Sequence, residues 1–396
     1  MRIGLFGEFG IRNFGNEASL RVMLEMLGRR PDRELLVVCD NPARVEIEHG
    51  VRATSIYHPG AGRRGLVGRV LGKMRDAIWT FRTVRGIDVV VVPGTGIFEA
   101  LWVRPGGIPL SLFWMAMAAR VLRRPLLVVS VGVDPFGGRF GRFLMASVLR
   151  SARYLSVRDE HSRRAAAELV GGSRPIPVTP DIVFGAARSS ADRAPGPAGP
   201  GRVVVGVMDF VGMAGDRERG EADHQAYVNE VADLVARLGA ASFPVTLIAG
   251  AAPDGPFVRE VLERVGSPEG EAWLDVPELR SYEEVERAIA SAGVVVASRF
   301  HNLVAAFRLG IPAVSLGYGA KQDQLMERFG MGEYRHPIAT FQAAAVAAQV
   351  ESVLGERARW VQLITTALEE MGVDLAVQEQ ALEELLEDSG RGARRR

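Results

Sequence analysis

The 396-residue chain is short of cysteine and of lysine. A lone cysteine, Cys39, excludes a disulfide scaffold and a cysteine-built metal site. It ends the apolar run Leu35-Leu36-Val37-Val38-Cys39 and reads as an inert core thiol. Charge of one sign is missing as well. Lys and Arg number 48 against 47 Asp and Glu, a net +1, so no bulk field marks a nucleic-acid partner. Long apolar runs are absent: the window Ile108 to Ala119 is broken by Arg120, Arg123 and Arg124 and falls short of the ~20 residues that cross a bilayer. The start, Met1-Arg2-Ile3-Gly4-Leu5-Phe6, runs into glycine and acidic residues without the apolar stretch of an export signal. The expectation is a cytoplasmic protein with no transmembrane segment.

The lysine shortage is informative in another way. Only Lys73 and Lys321 are lysine, and all other basic residues are arginine. With abundant Ala, Gly and Pro, this is the mark of GC-rich coding, which exchanges Lys for Arg wherever charge alone matters. A lysine that persists is a candidate for a task that needs a compact ammonium group. Chance survival is the alternative for either one taken alone.

Hydrophobic residues make up 47% and charged residues 24%, the balance of a globular chain, and the length calls for two or three domains. Apolar strands alternate with helices. Strands are expected near Arg2–Phe6, Leu35–Cys39, Val89–Val92, Leu126–Val131 and Tyr154–Val157, and helices at about Ala18–Gly28, Pro109–Leu122 and Phe140–Ala152. Continuously apolar strands of this kind form a parallel sheet covered on both faces. A Pro/Gly/Ser/Ala-rich stretch then interrupts the pattern before it restarts at Val203–Val207, Val245–Ile248 and Val294–Ala297. The reading is α/β: a Rossmann-like domain over residues 1–188, a linker at 189–201, a second Rossmann-like domain over 202–355, and terminal helices with a frayed basic tail over 356–396. Two parallel sheets facing a cleft are expected, with ligands beyond the carboxyl ends of the strands. The terminal helices are read as Glu356–Met371 and Leu375–Glu387.

The densest chemistry lies in Ala297-Ser298-Arg299-Phe300-His301. Arg299 and His301 fall where a strand ends and a helix begins, a place whose backbone N–H groups already favour an anion. An arginine there can grip a carboxylate or phosphate, and a histidine beside it can pass a proton. The plainer alternative is a helix capped by Ser298 whose Arg and His face solvent. Tyr318-Gly319-Ala320-Lys321 follows the next strand and can share that pocket, or Lys321 is a surface residue near a turn. Ser156-Val157-Arg158-Asp159 offers a second anion clamp, Arg158, with Asp159 as a helix cap; an arginine paired only with nearby acids is the alternative. Gly7, Gly10, Gly15, Gly94, Gly96 and Gly132 lie at strand ends, where glycine lets a ligand approach the backbone. Glu17 and Asp134 are the acids nearest these loops, as general bases or as ordinary turn residues. The spacing fits neither a dinucleotide fingerprint nor a P-loop. The six histidines hold no i, i+4 pair, so no protein-built metal site is expected.

Together, Asn13-Phe14-Gly15-Asn16-Glu17-Ala18, Val92-Pro93-Gly94-Thr95-Gly96, Ser156-Val157-Arg158-Asp159, Thr179-Pro180-Asp181, Ser298-Arg299-Phe300-His301 and Tyr318-Gly319-Ala320-Lys321 come in the order found in polysaccharide pyruvyl transferases. Over about Met1 to Gly330 the chain resembles that family. The resemblance implies a GT-B-like fold and transfer of pyruvyl from phosphoenolpyruvate to a sugar as a ketal. It implies His301 and Arg299 as catalytic residues and Arg158, Lys321, Ser298 and Tyr318 as donor-binding residues. Gly15, Asn16, Glu17, Gly94, Gly96 and Asp134 are expected on the acceptor side. No cofactor or metal is implied, phosphoenolpyruvate being a co-substrate. The partners expected are that donor and a sugar-containing acceptor, with peripheral contact to a lipid-linked acceptor left open and no nucleic acid. The chain departs from the family pattern at Asn16, where many relatives carry Asp, and at Thr95, where many carry a third glycine. Both changes fall on the acceptor side, so the donor is better supported than the acceptor. A nucleotide-sugar glycosyltransferase, with Glu283 or Glu284 on the donor ribose, and a non-catalytic member of the fold are the alternatives.

Overall fold

A computed structural model describes residues 1–11, 13–58, 65–99, 106–136, 138–172, 174–186, 201–210, 217–251, 254–266 and 272–394. Apart from Gly201, the linker expected at 189–201 lies outside the described residues. The chain forms two compact units, Met1–Ala186 with Met371–Arg396, and Ala187–Glu370.

In the first unit Arg2–Phe6 (β1), Glu34–Cys39 (β2), Arg52–Ser55 (β3), Val89–Val92 (β4), Leu126–Val131 (β5) and Tyr154–Val157 (β6) form one parallel sheet in the order β3-β2-β1-β4-β5-β6. Successive residues of β4 enter opposite cores. Val89 and Val91 pack with Ile3, Leu5 and Leu20, whereas Val90 and Val92 pack with Leu112, Met115 and Val148. Both faces are therefore apolar, which accounts for the unbroken Val89-Val90-Val91-Val92 run. The covering helices are Phe14–Gly28 (α1), Pro42–His49 (α2), Gly65–Arg85 (α3), Ile108–Val121 (α4), Arg139–Ser151 (α5) and Glu160–Val170 (α6). The strand order reverses between β1 and β4, so the loops after these two strands diverge at the carboxyl edge and leave a crevice there.

The second unit repeats the plan. Val203–Val207 (β7), Val245–Ala249 (β8), Leu274–Asp275 (β9), Val294–Ala297 (β10), Ala313–Gly317 (β11) and Arg335–Pro337 (β12) are parallel in the order β12-β11-β10-β7-β8-β9. Its helices are Arg217–Ala240 (α7), Gly255–Val265 (α8), Tyr282–Ala290 (α9), Phe300–Arg308 (α10), Ala320–Arg328 (α11) and Ala343–Gly355 (α12). Here the order reverses between β7 and β10. Two Rossmann-like units in one chain are what the alternation predicts, and they make the fold GT-B-like, as the family resemblance implies. Among the described residues, no helix is long and apolar enough to cross a membrane.

The C-terminus differs from the sequence reading. The two expected terminal helices are one, Arg357–Arg394 (α13), because no proline separates them and a lone Gly372 costs only about 1 kcal/mol in a helix. It continues to Arg394, into the tail expected to fray. Its first turns pack in the second unit, where Trp360 meets Tyr334 with ring centroids 5.2 Å apart. From Met371 onward it belongs to the first unit. Leu382 and Leu386 complete the core beside Ile3 and Leu20, and Glu383 pairs with Arg33 at 2.5 Å.

Gln378 of α13 is buried in that first unit. Its side-chain oxygen accepts from Ser156 Oγ and Thr179 Oγ1, each at 2.7 Å, and its nitrogen donates to Ser130 Oγ at 2.9 Å. Ser130 sits at the irregularity in the β5–β6 pairing with φ of 49°, a left-handed conformation that costs a serine energy and is held here by its hydrogen bonds. Replacing Gln378 by Leu leaves several buried hydroxyls short of a partner, each worth roughly 1–3 kcal/mol. The Gln378→Leu variant is expected to lower the first unit's unfolding free energy by about 2–4 kcal/mol in urea denaturation, whereas the exposed-site control Gln380→Leu stays near wild type.

Candidate active site

In the second unit the Ser298 N–H donates to the Gly206 carbonyl at 2.9 Å, extending β10 by one residue. The cap of α10 is then Arg299, with φ of −84° and ψ of 133°, and its side chain makes no capping bond. Ser298 is not the cap. It is wholly buried, its hydroxyl is 2.7 Å from that of Tyr227, and its carbonyl accepts from Gln322 Nε2 at 3.0 Å. One serine thus ties the β10–α10 turn to α7 and α11.

Released from capping, the Arg299 guanidinium forks onto Asp254. Nε and Nη2 reach the two carboxylate oxygens at 3.0 and 2.6 Å. Burial works against the charge on Arg299, but Asp254 outweighs it and raises the pKa above the ordinary value. Asp254 is fully buried and also accepts the Asp209 N–H at 3.0 Å. Arg299 stays 31% exposed, so part of its fork still faces outward. His301 lies in the first turn of α10, its ring edge-on to Phe300 at 5.1 Å between centroids. Lys321 Nζ sits 5.8 Å from the Phe300 ring centroid and 5.4 Å from that of Tyr318. The structure therefore brings Arg299, His301, Tyr318 and Lys321 together beyond the carboxyl ends of β10 and β11. Asn302, one residue past His301, was not singled out from sequence. It is buried, and its Nδ2 has no hydrogen-bond partner among the described residues.

Of the two carboxylates considered for a nucleotide ribose, Glu283 is exposed in the first turn of α9 and Glu284 is engaged locally. Glu284 accepts the Arg280 N–H at 2.7 Å while its own N–H donates to Ser281 Oγ, the cap of α9, at 3.3 Å.

In the first unit Asn13 Oδ1 accepts the N–H groups of Gly15 and Asn16 at 3.2 and 3.4 Å, which starts α1 at Phe14 rather than near Ala18. Gly15, Asn16 and Glu17 form the helix's first turn. Asn16 Nδ2 donates to the Glu8 carbonyl at 3.1 Å, and Glu17 accepts the Gly10 N–H at 2.7 Å. Gly10, with φ of 79°, is in a conformation that few other residues adopt. Ser19 Oγ donates to the Gly94 carbonyl at 2.6 Å, joining α1 to the loop after β4. The loop glycines make room for the protein itself. A Cβ on Gly94 would lie 3.0 Å from the Ser130 carbonyl, one on Gly96 3.0 Å from Glu99, and one on Gly132 2.6 Å from Glu99 and 2.7 Å from Arg158.

Arg158 is the centre of that packing. Its side chain, 3% exposed, pairs with Glu99, with Asp181 at 3.3 Å and with Asp159 at 3.7 Å. Burial disfavours its charge, yet the three carboxylates together raise its pKa. Asp159 also caps α6 through the Ser162 N–H at 2.7 Å. Asp134 lies 3.2 Å from His161. Glu99 and Asp254 carried no motif, and only their partners' charge points to them. Among the described residues Glu17, Glu48 and His49 have the spacing of metal ligands, but Glu17 serves Gly10 and Glu48 serves Arg44 at 2.6 Å, and we assign them no ligand.

Glu8 follows β1, and Asp40 follows β2. Burial, aided by Asp40, pushes the Glu8 carboxyl up to about 7, and burial pushes Asp40 up to about 6. Between the ordinary glutamate value of 4.5 and about 7, the folded protein keeps a proton that the unfolded chain releases. Stability must then fall as pH rises through that window. Glu8→Gln is expected to flatten the slope of melting temperature against pH there and to exceed wild type in stability above it. An unchanged slope would remove Glu8 as the cause.

The sequence profile of the polysaccharide pyruvyl transferase family matches residues 13–319. No curated protein matches the chain significantly. Among solved structures, a Listeria monocytogenes protein assigned as a UDP-N-acetylglucosamine 2-epimerase aligns with a TM-score of 0.63 at 12% identity, covering 97% of each chain. A glycosyltransferase from Rickettsia africae gives 0.62 at 9% identity over 98% of each chain. A Phytolacca americana glycosyltransferase, UGT2, complexed with UDP-2-fluoro-glucose and pterostilbene, gives 0.58 at 11% identity over 98% of this chain and 99% of its own. At these identities the likeness is one of fold. The profile spans both Rossmann-like units and most of the residues gathered at their strand ends, and the chain belongs to the polysaccharide pyruvyl transferase family.

Proposed function

We propose that the protein moves the pyruvyl group of phosphoenolpyruvate onto hydroxyls of a sugar or glycan-like acceptor, forming a ketal and releasing phosphate. The observation that carries this reading is the grouping of Arg299, His301 and Lys321 at the amino end of α10. Phosphoenolpyruvate brings a carboxylate and a phosphate, and two cations beside a helix amino terminus match that pair of anions. Asp254 fixes the angle of the Arg299 fork, and Tyr318 and Phe300 shelter the Lys321 ammonium. The buried amide of Asn302 adds a further hydrogen-bond donor.

His301 acts as general acid and delivers a proton to the donor's methylene carbon, which makes the central carbon electrophilic. One acceptor hydroxyl adds there, giving a tetrahedral adduct. The carbon–oxygen bond to phosphate then breaks with its electron pair on the departing oxygen, a charge that Arg299, Lys321 and the helix terminus stabilise. A second hydroxyl closes the ketal. Of the two hydroxyl protons released, one restores His301 and the other leaves on phosphate, so the reaction balances without a cofactor. The acceptor is assigned to the first unit's loops at Gly15, Asn16, Glu17, Gly94, Gly96 and Asp134. Arg158, neutralised by three carboxylates, orders those loops. Since phosphoenolpyruvate is an intracellular metabolite, the reaction belongs in the cytoplasm. A nucleotide-sugar donor has weaker support, because of its two candidate carboxylates Glu284 is engaged by the Arg280 N–H, which leaves Glu283 as the other candidate for a ribose.

Isothermal titration with phosphoenolpyruvate, beside UDP and UDP-glucose, tests the donor. Arg299→Ala and Lys321→Ala should each weaken phosphoenolpyruvate binding roughly tenfold or more, the loss of one charged hydrogen bond at ~1.5–3 kcal/mol. His301→Ala should spare binding and lower the rate of phosphate release in the presence of an acceptor glycan by roughly 10²–10⁴-fold. Binding of the nucleotides alone would overturn the donor assignment.

A further inference from the structure

The three helices on one face of the first sheet present an outer surface that the transfer reaction does not use. Helix α4 lies between α3 and α5 and packs against both, and the inward sides of α4 and α5 fill the core beneath. On the outward side of α3, Leu71, Met74 and Ile78 follow a helical spacing of three and four residues, and all are half exposed or more. On α5, Phe140 and Phe143 do the same. Five large apolar side chains, each between 50% and 59% exposed, thus stand out from adjoining helices. The Phe143 ring lies 5.9 Å from that of Phe113 on α4, which links the α5 part of the surface to the middle helix.

Charge distinguishes this layer from the rest of the molecule. The segments of α3, α4 and α5 contain nine Lys and Arg and a single acid, Asp76, in a chain whose two signs balance only overall. Asp76 is buried, accepts the His58 N–H at 3.1 Å and lies 4.0 Å from Lys73 Nζ, so it answers one of these cations and leaves the exposed arginines unbalanced by any acid of the three segments. Arg75 and Arg82 are exposed on α3 among the aliphatic residues, and Arg139 and Arg142 are exposed on α5 beside the two phenylalanines.

Apolar exposure by itself would suit several occupants, and the arginines select among them. A second copy of the chain on a two-fold axis would set this basic surface against itself. A nucleic acid would match the arginines but leave Leu71, Met74 and Ile78 without a role. An anionic lipid surface matches both. Apolar side chains enter the boundary between headgroups and acyl chains, while guanidinium groups stay among the phosphates and their stems lie along the apolar layer. We propose that the outer side of the α3–α4–α5 layer docks the protein onto an anionic lipid surface. This docking is one-sided and reversible, since no described helix can span the bilayer. It stands on exposure and charge and does not depend on the identity of the donor.

Flotation of the full-length protein with vesicles tests it, using phosphatidylcholine alone and phosphatidylcholine mixed with phosphatidylglycerol. Wild type is expected to float with the mixed vesicles only, and less at raised salt. Ile78→Ser with Phe140→Ser should lower the floated fraction about tenfold through lost apolar insertion, and Arg75→Glu with Arg142→Glu should lower it at least as far. Both double variants should keep the wild-type melting temperature and phosphoenolpyruvate affinity, which separates failure of the docking surface from failure of the donor site. Absence of wild-type flotation with the mixed vesicles would overturn the proposal, as would undiminished flotation of both variants. So would a wild-type dimer that the serine variant converts to monomer. Retention on nucleic acid without flotation would also overturn it.

Discussion

A carboxylate with no access to water holds the second unit's strand ends together. Asp254, fully buried after β8, accepts the Arg299 fork from the turn after β10 and the Asp209 N–H from the chain after β7. Breaking such a pair by removing one partner typically costs about 3–5 kcal/mol, because the other charge is stranded. That cost makes the geometry stiff where stiffness is needed. The three connections converge at the reversal of strand order, and their positions relative to one another follow from a single buried side chain.

The first unit solves the same problem with the signs exchanged. Arg158 is the buried hub, and Glu99, Asp159 and Asp181 bring three segments to it. The difference in exposure carries functional weight. Arg299 remains 31% accessible beside His301 and Lys321, whereas the Arg158 side chain is 3% accessible and already carries more acid than its charge can neutralise. Of two arginines that look alike in sequence, one keeps an accessible edge and the other is enclosed by its own carboxylates.

That contrast marks the limit of what the residues reveal in order. The parallel sheets were legible because each Val-rich strand is buried on both faces, and Arg299, His301 and Lys321 were legible because rare residue types fall at strand ends. The partners were not. Asp254 lies 45 residues from Arg299, Glu99 lies 59 from Arg158, and neither carries a local pattern. The Ser298 cap failed for a related reason: the Tyr227 hydroxyl, 71 residues away, takes the serine that local propensity would assign to the helix. At α1 the competition ran the other way, and Asn13 captured the Gly15 and Asn16 N–H groups to start the helix early. Short elements such as β3, β9 and β12 are two to four residues long and offer no periodicity to read.

The course of α13 has a consequence for how the molecule comes into being. The first unit is built from Met1–Ala186 together with Met371–Arg396, so its core and its buried hydroxyl network lack Leu382, Leu386 and Gln378 until after the whole second unit has been made. The second unit, Ala187–Glu370, is contiguous and leaves the ribosome before the first can close. During translation the usual order of maturation is inverted. The first unit waits, incompletely packed, for a helix that is made only after the second unit, and the interval of greatest exposure to chaperones and proteases falls on the unit that was begun first.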